Sequence, residues 1–396
     1  MTTFLRHTWF FSLLILFAAC RQPGDAQSEI VSPTFQPPSP TASQLPSASQ
    51  PPATAPIAQS SGQISPADPR IRYTGRIDFS DPAQPAFDWP AVTIEAAFEG
   101  TSLAILLEDG QNFYNVTVDG QETVLQTQPG QNRYVVASGL ADGRHLFRMT
   151  KRTETFYGTP RFLGLELDGG RDLTTLPAAP ERRIEFIGDS ITAGYGSEGN
   201  SPTCSFSRAT ENVELTYAAM SARELGAAYT IVAVSGMGIV RNYNATGTSS
   251  PGTMLTYYDL TTTDPGSQNW DFQRWVPDAV VINVGTNDFS TNPHPADEVF
   301  LQGYTELMLK VRRSYPNAHI FALSGPIMVN PAESLIQTAV SQMHEIMQDD
   351  RVHFVKINNT LELSGADYGC DWHPNASGHR KIAEQLIPYF HQELNW

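Results

Sequence analysis

Five short apolar runs, each closed by a polar turn and followed by a helical period, constrain this chain more than any other feature. From Arg182 onward, "RIEFIG", "YTIVAV", "AVVINVG", "HIFALSG" and "VHFVKI" read as buried strands. Helical patterns lie near Val213–Leu225, Asp297–Ser314, Glu333–Gln348 and Ala376–Leu394. In the last, Ile382, Leu386, Phe390 and Leu394 share a face, with Ala383 and Ile387 beside them. Strands alternating with helices predict a parallel, doubly wound five-stranded sheet over 182–396. Such sheets bind ligands beyond the carboxyl ends of their strands.

The residues before it follow another rule. "VTIEAAF", "SLAILLED", "FYNVTVDG", "RYVVASG" and "HLFRMTKR" are short runs separated by turns such as "EDG" and "ADGR". They predict an all-β sandwich over 68–172, and "GGRDLTTLPAAPE" reads as a linker. Residues 21–67 are rich in Pro, Ser, Thr, Ala and Gln, with no charge from Ile30 to Ala67. They predict an extended tether, with a glycosylated stalk or a secretion remnant as the other readings.

The first 20 residues, "MTTFLRHTWFFSLLILFAAC", have a weakly basic start and an apolar run too short for an ordinary membrane span. Small residues directly before Cys20 predict a bacterial lipoprotein-type signal, with Cys20 acylated as the new N-terminus. The protein is then exported and anchored to a membrane only through that lipid; a plain signal peptide and secretion is the alternative. In an exported protein the remaining cysteines, Cys204 and Cys370, are expected to pair.

A formal charge of −16, without a Lys/Arg cluster, speaks against nucleic-acid binding. No His pair at helical spacing with a carboxylate and no Cys cluster occurs, so neither a metal nor another cofactor is expected.

The polar motifs follow the strands. Ser190 lies in "GDSIT", Ser235–Gly238 is "SGMG", Gly285–Asp288 is "GTND", and "CDWHPNASGH" spans Cys370–His379. A serine hydroxyl becomes a good nucleophile when an imidazole takes its proton, and the imidazole needs a partner on its other nitrogen. Charge developing on a carbonyl oxygen needs fixed donors, each worth about 3–4 kcal/mol when removed. The motifs offer Ser190 as nucleophile, His373 as base and Asp371 as its orienter. The amides of Ser190 and Gly236 and the side chain of Asn287 are the candidate oxyanion donors, with Gly238 a rival to Gly236. For Ser190 the competing reading is a helix N-cap. Asp189 and Asp288 read as loop braces and His379 as a helix-surface residue. Trp372 is either a sugar-stacking platform or a core tryptophan. Tyr195, Arg241 and Asn242 flank the site and are expected to line the substrate cleft.

These motifs resemble the SGNH (GDSL-type) hydrolase superfamily. "VSGMGIVRN", "GTNDFS" and "CDWHPN", with the preceding sandwich, are similar to carbohydrate esterase family 2 over roughly Arg70–Trp396. The resemblance implies a jelly-roll domain joined to a flavodoxin-like SGNH domain. It implies a serine esterase that removes O-acetyl groups from polysaccharide, xylan or glucomannan among them, through an acetyl-enzyme. One departure stands out: the superfamily usually spaces its pair Asp-x-x-His, whereas Asp371-Trp372-His373 is one residue shorter. Some family members work as a Ser-His dyad, so a backbone carbonyl is the alternative orienter. Two other readings remain open. One is a lipid-directed esterase, which would want an apolar groove where this chain has "RNYNATGTSSPGT". The other is a carbohydrate-binding protein with an inactive hydrolase domain. A monomer is expected.

Overall fold

The computed structural model describes residues 62–328, 330–358 and 365–396. The expected signal segment, Cys20 and the tether as far as residue 61 lie outside the described residues.

The N-terminal strands are β1 (Gln63–Ile64), β2 (Arg72–Thr74), β3 (Thr93–Gly100), β4 (Leu103–Asp109), β5 (Phe113–Val118), β6 (Gln121–Gln126), β7 (Gly130–Ala137), β8 (Gly143–Lys151), β9 (Arg161–Leu167) and β10 (Leu173–Thr174). They form two antiparallel sheets, ordered β1-β9-β4-β7 and β10-β3-β8-β5-β6, with β2 on the side of β3. Ile94 and Phe98 from one sheet share a core with Ile105 and Leu107 from the other. The alternation read in the sequence is this inward-outward period. Both expected boundaries shift outward. Gln63 and Ile64, assigned to the tether, pair with Glu166 and Leu165. Leu173 and Thr174, assigned to the linker, pair with Phe98 and Ala97. Two-residue edge strands carry too little periodicity to be read in advance.

The second sheet is built from β11 (Arg183–Gly188), β12 (Ala228–Ala233), β13 (Ala279–Asn283), β14 (His319–Ser324) and β15 (Val352–Lys356). It is parallel throughout, in the order β12-β11-β13-β14-β15. That is the flavodoxin-like order, whose strand order reverses beside β11. The helices are α1 (Ser190–Ala193), α2 (Tyr217–Glu224), α3 (Met254–Tyr257), α4 (Asp297–Ser314), α5 (Ala332–Met347) and α6 (Ala376–Leu394). Ile184 and Phe186 pack with Tyr217, Ile382 and Phe390, whereas Ile187 and Ile282 pack with Leu307 and Ile336. Both faces are buried, which is why the strands are apolar without alternation. The helix expected from Val213 starts at Tyr217, because the Thr216 hydroxyl caps it, accepting from the Ala219 amide at 3.3 Å.

The two domains form one compact unit. Arg76, before β3, is fully buried and faces Glu185 of β11 at 3.5 Å. Its guanidinium lies 4.9 Å from the Tyr258 ring centre and donates to the Leu260 carbonyl at 3.0 Å. The Tyr258 hydroxyl donates to Glu185 at 3.0 Å. Such partners offset the desolvation of a buried ion pair.

Candidate active site

The strand-to-helix turn after β11 is built for close packing. A Cβ at Gly188 would fall 2.0 Å from the Thr192 hydroxyl, so glycine alone permits this turn. Asp189 caps α1, accepting from the Ile191 amide at 3.1 Å. Ser190 therefore begins the helix at the carboxyl end of β11, 8% exposed.

His373 reaches it from the loop before α6. Its Nε2 lies 2.8 Å from Ser190 Oγ and its Nδ1 3.0 Å from the backbone oxygen of Asp371. A carbonyl only accepts, so Nδ1 carries the ring proton and Nε2 faces the hydroxyl as an acceptor. Burial pushes the His373 pKa down to about 4, which keeps the imidazole neutral in ordinary buffers.

The Asp371 carboxylate does not orient the base, contrary to the sequence expectation. Its Oδ2 accepts from the Tyr195 hydroxyl at 3.0 Å and the Phe206 amide at 2.9 Å. Asp371 and Trp372 have φ of 51° and 59°. Two successive residues in the left-handed region turn the chain tightly, sending the carboxylate one way and the carbonyl toward His373. The bridge Cys204–Cys370 anchors the turn, as expected. The Asp371 and Trp372 amides donate to the Cys204 and Pro202 carbonyls at 2.9 and 3.1 Å.

On the other side lies the loop after β12. Gly236 has φ of 75°. Among the described residues no protein acceptor takes its amide or that of Ser190. The rival Gly238 is excluded, because its amide donates to Asn242 Oδ1 at 3.0 Å. Asn287 Nδ2 donates to Met237 O at 3.0 Å and to Asp189 Oδ2 at 3.2 Å, joining the two loops. Both its hydrogens are thus engaged, and an oxyanion must displace one acceptor. Burial raises the Asp189 pKa to about 7, which weakens it as that competitor. Asp288 braces the loop as expected, accepting from the amides of Ile239, Val240 and Arg241 at 2.8–2.9 Å.

Three residues expected to line the cleft do other work. Tyr195 is nearly buried, stacked on Phe206 at 3.9 Å and lying 4.3 Å from the His373 ring, so it is the wall behind the imidazole. Arg241 is fully buried and donates to the carbonyls of Gly247 and Ala245 and to Thr291 Oγ1. Asn242 bridges Gly238 and the Gly252 carbonyl. Both shape the polar loop rather than present themselves to a ligand. His379, expected on a helix surface, is buried, and its Nδ1 accepts from the Tyr217 amide at 3.2 Å. Trp372 is 46% exposed, with its ring T-shaped to that of Tyr368 at 5.6 Å between centres, and that exposure decides against the core reading.

Sequence reasoning missed Glu154, which reaches from the sandwich to Ser235. The signal was "KRTET", a charge cluster that starts on the last residue of β8 and runs on without a turn residue.

The comparisons agree with this geometry. Residues 73–177 match the carbohydrate esterase 2 N-terminal family, and residues 186–381 the GDSL-like lipase/acylhydrolase family. Over 344 residues the chain is 33% identical to an acetylxylan esterase / glucomannan deacetylase of Cellvibrio japonicus, covering 82% of this chain and 91% of that one. The chain belongs to carbohydrate esterase family 2. That membership places it among carboxylic ester hydrolases. It is also 37% identical over 335 residues to the cellulase/esterase CelE of Acetivibrio thermocellus, covering 83% of this chain but only 40% of that longer protein. A family two carbohydrate esterase from Clostridium thermocellum in complex with cellohexaose superimposes with a TM-score of 0.77, at 37% identity, covering 82% of this chain and 99% of that one.

Proposed function

We propose that this family member is a serine esterase that removes O-acetyl groups from polysaccharide of the xylan or glucomannan type. The observation that carries the reading is the 2.8 Å contact between His373 Nε2 and Ser190 Oγ, beside two amides open to an oxyanion.

Ser190 Oγ attacks the acetyl carbon as His373 Nε2 takes its proton, while the Asp371 carbonyl holds Nδ1–H and steadies the imidazolium. The oxyanion receives the amides of Ser190 and Gly236 and one exchanged hydrogen of Asn287. Collapse breaks the bond to the sugar oxygen, which takes the proton from Nε2. A water then gives a proton to Nε2 and its oxygen to the acetyl carbon. The bond between the acetyl carbon and Ser190 Oγ then breaks, Oγ takes the proton back from Nε2, and acetate leaves.

The substrate class draws support from Trp372, half-exposed beside the base, and from the polar loop that Arg241 and Asn242 hold. It also draws support from the relative named for xylan and glucomannan deacetylation and the relative in complex with cellohexaose. The deciding experiment is acetate release from acetylated xylan and glucomannan. Release from these, lost in Ser190→Ala, is expected; turnover of lipid esters alone would overturn the reading.

The reading extends to an exported, monomeric body anchored through acylated Cys20, with the Pro-rich stretch as its tether; support comes from "FAAC" and the uncharged segment after it. Full-length protein is expected to partition with membranes and Cys20→Ala to be soluble. Mature protein cleaved elsewhere would overturn the anchor.

A further inference from the structure

Glu154 follows β8 in the sandwich, yet its carboxylate ends in the loop after β12. It is fully buried, and each of its oxygens accepts from Ser235, with the Glu211 carboxyl beside them. Oε2 accepts from the Ser235 amide at 2.6 Å, and Oε1 accepts from the Ser235 hydroxyl. Ser235 directly precedes Gly236. Holding Ser235 by amide and hydroxyl together fixes its backbone dihedrals and its rotamer. The peptide plane that carries the Gly236 N–H is thereby fixed as well. On the far side of that glycine, its carbonyl accepts from the Tyr243 amide at 2.8 Å. The glycine is pinned at both ends while its N–H is left open.

We propose that Glu154 is a positioning residue for the oxyanion hole: the sandwich lends a carboxylate that aims the Gly236 amide at the reacting carbonyl oxygen. The inference rests on the esterase reading above and adds a part to it from the other domain.

The surroundings fit this role. Lys151 Nζ is buried and donates to the carbonyls of Thr153 and Glu154 at 2.6 and 2.9 Å, holding the backbone from which Glu154 projects. Arg152 donates to the Glu211 carbonyl at 2.7 Å, which packs the segment against the loop before α2. Glu211 is buried beside Glu154, and burial with the neighbouring carboxylate raises its pKa well above the usual range. Burial raises the Glu154 pKa as well, but the Ser235 hydrogen bonds and Lys151 oppose that rise, so of the two carboxyls Glu154 is the one that ionises first. Once ionised, its hydrogen bonds to Ser235 are charge-assisted and stronger than neutral ones. A brace of that strength suits a donor that must not reorganise as charge develops.

The test uses the full chain and its Glu154→Ala, Glu154→Gln and Ser235→Ala variants. Two quantities are measured: steady-state kinetics on 4-nitrophenyl acetate, and the affinity of a small arylboronic acid, whose tetrahedral serine adduct puts an oxygen in the hole. Glu154→Ala is expected to lower kcat about 10- to 100-fold with KM within about twofold, since the contact acts in the transition state. Boronate affinity should fall in parallel. Glu154→Gln keeps one acceptor and should fall between Glu154→Ala and the parent. Ser235→Ala should cost less, and should add little on top of Glu154→Ala, because both act through one contact. A merely structural brace would lower thermal stability and spare kcat and boronate affinity in the folded enzyme. Wild-type kcat and boronate affinity in folded Glu154→Ala would overturn the proposal, as would a change in KM alone. Should Glu154→Ala not fold, Glu154→Gln and Ser235→Ala decide by the same two readouts. Activity on the aryl ester but none on acetylated polysaccharide would overturn the substrate reading and leave this test intact. If no ester is turned over, boronate affinity alone judges the proposal.

Discussion

His373 Nδ1 and the backbone oxygen of Asp371 lie 3.0 Å apart, and that bond sets the tautomer of the base without a carboxylate. The Asp371 side chain instead closes a bond with Tyr195 behind the imidazole. A carbonyl gives direction to the ring but less charge than an acid would give, so the preorganised amides opposite carry more of the transition-state stabilisation.

Substitutions should separate these roles. Ser190→Ala and His373→Ala are each expected to remove about 10⁴-fold or more of kcat, since nucleophile and base act as a unit. Asp371→Asn suits a φ of 51°, because asparagine tolerates the left-handed region. It keeps the carbonyl bond and is expected to cost less than about tenfold in kcat. A loss equal to that of Ser190→Ala would reinstate a carboxylate triad.

The pH dependence follows from burial of the base. Only neutral His373 can accept the serine proton, and its pKa is lowered to about 4. Activity should therefore persist through pH 5, with the acid limb of kcat/KM well below the ordinary histidine value of about 6.5. Stability runs alongside. His373 and His379, lowered to about 4 and about 3, bind fewer protons folded than unfolded. Their contribution is present above about pH 6.5 and is lost as the pH falls through 4 toward 3. An acid limb at 6.5, with activity recovered on return to pH 7, would contradict the lowered pKa of the base.

The bridge between Cys204 and Cys370 spans 166 residues of sequence and lies one residue from Asp371. In the chain-entropy model a loop of that length contributes about 5 kcal/mol. Thiol titration of native protein should find neither cysteine free. Reduction, or the double Ser variant, should lower both the unfolding midpoint and kcat, because the turn that aims the Asp371 carbonyl hangs from Cys204 and Pro202. Unchanged kcat in reduced, folded enzyme would detach the bridge from catalysis.

What could be read in advance follows the physics of each element. The strands of the parallel sheet were legible nearly to the residue because burial on both faces leaves an unbroken apolar run. Ser190 and His373 were legible because each sits at a strand end in a motif. Arg241 and His379 were misplaced because polarity says nothing of direction. Buried carbonyls and Thr291 take two nitrogens of the guanidinium and the Tyr217 amide takes one nitrogen of the imidazole, while a buried nitrogen of each is left without a protein partner among the described residues. The turn at Asp371 and Trp372 was hidden because neither residue type announces a positive φ. Glu154 was hidden because its partner lies 81 residues away in another domain.

The last prediction concerns the leaving group. Trp372 presents an exposed indole next to the base, and its backbone is fixed by the Pro202 carbonyl. A sugar ring is expected to rest on it while an acetylated hydroxyl of the same saccharide reaches Ser190. Burying such an aromatic face is worth about 1–2 kcal/mol, or about 5- to 30-fold in an equilibrium constant. Trp372→Ala should therefore raise KM for acetylated oligosaccharide by that factor while leaving KM for 4-nitrophenyl acetate nearly unchanged. Alanine at a φ of 59° adds backbone strain, so Trp372→Asn, which tolerates that conformation, serves as the second variant. Equal effects on both substrates would mean that the indole shapes the loop rather than holding a sugar.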